Sequence, residues 1–252
     1  MITSTAMDTG TSTTAIEPSG GATTSSSPLL HLLWLASPAL PVGGFGYSEG
    51  LEAAVDAGVV HDEYSAGDWL LNQLELVQSR AELPALAGAY RAACASDSDA
   101  ICALNDWVLH TREAAEPLLQ TQQMGRSLLA WLKGMQSEGE APCPTLALLQ
   151  SLSPAPSWPV VMGCVAAWRG TPLDATLQAF AFGWAENLMQ AAVRCVPLGQ
   201  SAGQRLLARL VAAIPAAVQH ALQAEQEPLA FAPLLGIHCA RHETQYSRLF
   251  RS

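Results

Sequence analysis

The sequence predicts an all-α protein, on three observations. Its apolar half is dominated by 43 Ala and 36 Leu against 13 Val and 5 Ile, and Ala and Leu lose little rotamer freedom in a helix whereas strands favour branched residues. Apolar positions recur at three- and four-residue spacing, as in Met124, Leu128, Trp131 and Leu132. Gly, Pro and small polar residues punctuate the chain where helices start and stop. With no repeat of fixed period and no linker between ordered halves, the expectation is a single domain of roughly ten helices. Its 252 residues suffice to bury a core without staples.

Taken in order, residues 1–27 are about half Ser and Thr and lack Lys, Arg and an apolar core, which reads as a disordered Ser/Thr-rich tail rather than a targeting segment. Residues 28–252 form the helical domain. It opens with the short helix LLHLLWLA, stopped by Ser37-Pro38. Ser65-Ala66-Gly67-Asp68 reads as a capping box before Leu70, Leu74 and Val77. The helix of Met124 to Leu132 should end in a loop over Gly134 to Pro144. Thr171-Pro172-Leu173-Asp174 reads as N-cap, first-turn proline and acid, with Gly170 stopping the helix before it. Leu207, Leu210, Val211, Ile214, Val218 and Leu222 suggest one helical face, kinked or divided at Pro215. A last helix should cover about Leu234 to Leu249.

The net charge of −10 argues against a general affinity for nucleic acid. Lys133 stands alone beside 11 Arg, so the fixed positive charges are planar forks suited to bidentate pairing. Six cysteines are scattered singly without a C-x-x-C pair, which reads as reduced, mostly buried thiols in the cytoplasm. Apolar runs such as Trp158 to Trp168 fall short of a membrane span. No cofactor motif occurs.

The stretch PVGGFGYSEGLE contains two enzyme-like patterns, a G-x-S-x-G around Ser48 and a loose glycine series at Gly44, Gly46 and Gly50. A nucleophile elbow needs a strand before the serine, and SPALPV with its two prolines is a poor strand. A dinucleotide cradle needs the same strand in a parallel sheet. Ser48 reads better as the cap of a helix holding Leu51, Ala54 and Val55 and ending at Gly58. A small helical serine hydrolase using Ser48 is retained as an alternative. Beside the glycines, Phe45 and Tyr47 either lock into the core or anchor a partner.

His238 and His242 stand at i and i+4 with Cys239 between them, a spacing metals use. Two or three ligand candidates without a second cluster make a poor structural metal site, so no resident metal is expected and a nickel carrier is the second alternative. Glu113 and Glu116 read as a solvated helix face. Glu186 and Asn187 sit in the apolar run Phe180 to Val193, where an unpaired charge is costly. Arg194 lies too far along for an ordinary helix pair with Glu186.

Three blocks, LLWLASPALPVGGFGYSEGLE, NLMQAAVRCVPLGQSAGQRLL and the terminal HETQYSRLFRS, occur in this order, and through them the chain resembles the UreF family of urease accessory proteins from about Leu29 to Ser252. Gly46 stands where relatives often carry Ser or Ala. The leader and the Gly134 to Pro144 loop have no reliable counterpart. The resemblance implies an all-helical, non-catalytic scaffold in the cytoplasm that helps deliver nickel to the urease apoprotein. It implies binding to a UreD/UreH-type accessory protein and recruitment or regulation of a UreG-type GTPase, as activator or as gate. It also implies pairing of UreF-like subunits as a homodimer within the complex. Tyr47 and Arg251 are implied as dimer or GTPase-recruiting contacts, with Tyr246, Arg248, Leu249 and Phe250 in the same tail. Phe45, Glu49, Arg194 and Gln200 complete the expected partner-binding set. The Arg194 to Gln200 turn is equally readable as a hinge. Aromatic and Arg residues of this kind are enriched at binding hot spots.

Overall fold

Why helices dominate is visible at their starts. The structure, a computed structural model, describes residues 1, 27–135, 142–223 and 228–251. Among them are eleven α-helices, one 3-10 turn, one π-helical segment and no strand. The expected N-terminal tail and the middle of the Gly134 to Pro144 loop lie outside the described residues.

Helix α1 (Pro28–Leu35) starts on a proline, whose missing N–H costs nothing in a first turn. A 3-10 turn (Gly44–Gly46) leads to α2 (Leu51–Asp56). Helix α3 (Glu63–Gln73) begins earlier than the sequence suggests. Its capping box is Asp62 with Ser65: the Asp62 carboxylate accepts from Ser65 N–H at 2.8 Å and the Ser65 hydroxyl accepts from Asp62 N–H at 3.0 Å. Ser65 is therefore the end of the box rather than its start.

The rod continues as a π-helix (Leu74–Glu82) and then α4 (Leu83–Ala95). Its cause is Pro84, which has no N–H to offer Arg80 and whose ring crowds that carbonyl. The wider turn relieves the crowding. The freed carbonyl of Arg80 accepts instead from Leu229 N–H at 2.8 Å.

Helices α5 (Ser98–His110), α6 (Ala115–Met135) and α7 (Leu146–Ser151) follow. Helix α8 (Trp158–Trp168) is the hub. It lies against α4 and α6, and Gly163 permits this: a Cβ there would stand 2.5 Å from the Leu86 carbonyl oxygen. Buried Asn105 ties the loop before α8, donating to Ala155 O at 3.1 Å and accepting from Ser157 N–H at 2.7 Å. Gly170, at φ +65, turns the chain out of α8 as the sequence predicts.

Helix α9 (Leu173–Cys195) is capped differently from expectation. Pro172 occupies the N-cap, while the buried Thr171 hydroxyl donates to Ala166 O, closing the previous helix instead. Helix α10 (Gln200–Gln223) runs through Pro215 undivided. Its buried face is Leu206, Leu210, Ile214, Ala217, Val218 and Ala221, while Val211 is exposed. This helix is long and apolar enough to cross a membrane by length and composition, which the short apolar runs did not suggest. Its arginines nevertheless tie it to α3, Arg205 to Glu63 and Arg209 to Asp68 at 2.8 Å. Helix α11 (Pro233–Glu243) ends six residues before the predicted Leu249, leaving an irregular tail. One core cluster runs from Leu35 through α4, α8 and α9 to Phe250.

Candidate functional site

The sequence-predicted residues come together where the tail returns to the glycine turn. Gly43, in the left-handed region at φ +79, bends the chain so that Gly46 N–H reaches Gly43 O at 3.1 Å. Asn187 of α9 donates to Gly44 O at 2.8 Å and braces the turn. The two aromatics then divide the roles left open for them. Phe45 is 68% exposed, whereas Tyr47 is 3% exposed and donates to Gln123 of α6 at 2.7 Å. Burial pushes the Tyr47 phenol above its ordinary range, with Arg251 acting against that shift.

Glu49 follows at φ +50, strained for a residue with a Cβ. Its carboxylate accepts from Gln120 at 2.8 Å and from the Trp184 indole at 2.9 Å. Burial raises its pKa from the ordinary carboxylate value, and those two hydrogen bonds only partly oppose the shift. Glu49 thus braces the turn through α6 and α9. A mostly apolar cleft of about 350 Å³ opens beside it between Leu35, Val77, Met124, Phe180 and Trp184.

Beneath the turn lies a buried charge network. Glu52 on α2 accepts the backbone N–H of Leu249 at 2.7 Å and of Phe250 at 3.0 Å. His242 on α11 is fully buried between Glu52 at 3.1 Å and Glu116 at 2.9 Å. Arg248 reaches the other oxygen of Glu116 at 2.9 Å. Two carboxylates are thereby matched by two donor side chains, which makes the burial tolerable. Glu243 adds an anchor by accepting Ala115 N–H at the start of α6 at 2.8 Å.

Glu116 is therefore no solvated residue, contrary to expectation, and Glu113 lies before α6 rather than on its face. Glu52 was missed altogether. The available signal was an acid inside the otherwise apolar run Leu51 to Val55.

Farther along the tail, Arg251 N–H donates to Gly46 O at 2.8 Å and its side chain reaches Gln123 at 3.5 Å. Phe250 is only 7% exposed and lies under the Arg194 guanidinium at 5.9 Å. Buried Phe250 and Tyr47 are thus core residues of this chain, and neither ring offers a surface anchor. Tyr246, Arg248, Leu249 and Arg251 are exposed around them. Gln200 is exposed at the start of α10.

His238 and His242 do not converge. His238 stands edge-on to Trp69 at 5.2 Å, and burial lowers its pKa, while both nitrogens of His242 are engaged. Burial pushes the Cys239 thiol up to about 12. Among the described residues no group of three or more His, Cys, Asp or Glu is placed to hold a metal. Ser48 is fully buried behind a turn instead of a strand. Gly50 takes the N-cap of α2, and the Ser48 hydroxyl accepts Glu52 N–H at 3.4 Å.

Fold and site define a helical protein whose polar centre orders its own surface, with the tail as the ordered part. The UreF family model matches residues 60–211. The chain is 56% identical to urease accessory protein UreF of Methylibium petroleiphilum, over 93% of this chain and 96% of that protein. It is 55% identical to urease accessory protein UreF of Paracidovorax citrulli over 89% of each. It also matches the bifunctional urease accessory protein UreEF of Bordetella bronchiseptica at 44% identity, over 98% of this chain and 56% of that protein. The chain belongs to the UreF family of urease accessory proteins.

Proposed function

We propose that the chain is a non-catalytic maturation scaffold that presents the glycine turn and the tail as one docking surface. The observation that carries this reading is the return of the tail onto the turn: Arg251 on Gly46, with Leu249 and Phe250 on Glu52. It leaves Phe45 and Leu249, 68% and 70% exposed, close in sequence to the place where the Arg251 side chain passes over Gly46. Exposed aromatic, aliphatic and Arg groups on a braced backbone suit a partner contact, because little ordering is left to pay for on binding.

In this reading residues 28–252 act as one unit in the cytoplasm, without a cofactor of their own and without contacting nucleic acid or membrane. The partners are a UreD/UreH-type accessory protein, a UreG-type GTPase and the urease apoprotein, with a homodimer in the complex and nickel delivered to the apoprotein. Membership of a family of urease accessory proteins supports this, as does a relative named as bifunctional UreEF, in which a similar chain is part of a longer accessory protein.

The test is co-expression with the UreD/UreH-type protein and the GTPase, followed by size-exclusion chromatography. Leu249→Ala with Arg251→Ala should lose the complex while the isolated chain keeps its melting temperature. A complex retained at normal affinity would refute the tail surface. The hydrolase and carrier alternatives gain no support from buried Ser48 or from the engaged His242.

A further inference from the structure

His242 carries a paired-histidine signal that neither a metal nor a docking role uses. It is completely buried. Its ring stands between two carboxylates, with an oxygen of Glu52 3.1 Å from Nε2 and an oxygen of Glu116 2.9 Å from Nδ1, so both nitrogens are hydrogen-bonded. Its two partners are the carboxyl groups that hold the tail. Glu52 Oε2 is shared between His242 and Phe250 N–H, its Oε1 holds Leu249 N–H, and Glu116 Oε1 holds Arg248.

We propose that His242 is a positioning residue for the docking surface. By hydrogen-bonding Glu52 and Glu116 at once it fixes both side chains, and through them sets where Leu249 and Arg251 stand relative to Phe45. It touches no partner itself. Without it two buried carboxylates face each other with too few donors, and Glu52 gains by turning toward water and releasing the two tail amides. The proposal rests on the reading of the tail as a docking surface.

The surface so positioned also indicates its partner's chemistry. The molecule carries −10 overall, yet Arg194 and Arg251 form no ion pair with a carboxylate among the described residues; Arg194 lies over the Phe250 ring, and the Arg251 side chain meets Gln123 and Tyr47. Arg248, paired with Glu116, keeps a side chain that is 41% exposed. The face that fits is one carrying carboxylates between apolar groups.

The experiment measures amide hydrogen exchange in the full chain and affinity for the co-purified UreD/UreH-type partner. In His242→Gln, Leu249 and Phe250 should exchange at least about tenfold faster with α9 unchanged, and affinity should fall about tenfold. Glutamine can donate to Glu52 but then turns its carbonyl toward Glu116. Adding Glu116→Gln supplies the missing donor and should restore both readouts. Should His242→Gln fail to fold, His242→Asn, which keeps a donor but is too short to span both carboxyl groups, should loosen the tail in the same direction. Unchanged tail exchange in either single variant, or a double variant as fast as His242→Gln, would overturn the proposal and leave the docking surface standing. Full assembly by Arg251→Ala together with Leu249→Ala would overturn the docking surface and this proposal with it.

Discussion

The carboxylate of Glu52 accepts the backbone N–H of Leu249 at 2.7 Å, across 197 residues of sequence. A side chain that binds main chain fixes a path rather than a residue type, so the tail's course is independent of which side chains it displays. This separates two kinds of tail residue, and the separation is measurable.

Phe250 belongs to the inner kind. Phe250→Ala should cost about 3 kcal/mol of stability, since it empties a buried ring site. Leu249→Ala, at 70% exposure, should stay within about 0.5 kcal/mol while weakening partner binding about tenfold. Urea denaturation of the isolated chain beside a binding titration checks both. Equal stability of the two variants would contradict the burial of Phe250.

Glu49 predicts a pH effect. Burial raises its pKa from 4.5 in the folded state, so the folded protein holds that proton more tightly than the unfolded chain. Its contribution is most favourable below the unfolded value and is lost as pH rises through the folded one. Glu49→Gln should therefore flatten the fall in stability as pH rises above 4.5, at a pH-independent cost of about 1 kcal/mol for one hydrogen bond to Trp184 or Gln120. Urea midpoints across that range, compared between the two proteins, give the answer; parallel profiles would show that Glu49 ionises normally.

Gly163→Ala should destabilise by about 1–3 kcal/mol, because the new methyl meets the Leu86 carbonyl at 2.5 Å and α4 must move away from α8. The thermal melt reports it. A neutral substitution would mean that the two helices can separate freely.

The thiols should differ in reactivity. Burial pushes Cys164, Cys195 and Cys239 up to about 12, which leaves only about one part in ten thousand as thiolate at pH 8. Exposed Cys94 should be labelled first by N-ethylmaleimide, and those three only after denaturant is added. Mass mapping of a time course checks the order, and early labelling of Cys239 would show that α11 leaves its seat.

Helices were legible because their signals are local. The Ala and Leu excess, the stripe from Met124 to Leu132 and the stop at Gly170 each involve neighbours a few residues apart, and each survives in the structure. Errors arose where two local candidates competed. Asp62 outbid the later capping box, and Thr171 closes α8 while Pro172 starts α9. The tail was legible as composition alone. Which of Tyr47, Phe45, Leu249 and Phe250 turn inward depends on contacts with Glu52, Gln123 and Arg194, and no short-range pattern encodes pairings across such distances. His242 shows the same limit: its spacing from His238 suggested a ligand pair, while its actual partners lie on α2 and α6.

Pro84 has a consequence for angular phase. An α-helix advances about 100° per residue, and the wider π turn advances less, so α3 and α4 lie on two helical wheels offset from one another although the rod is continuous. A single wheel drawn over Glu63 to Ala95 therefore mixes faces. Alanine at position 84 would give Arg80 its α-helical donor back in place of Leu229. The intervening turns would then rewind, carrying Gln78 and Glu82 around the axis and away from the cleft they now line.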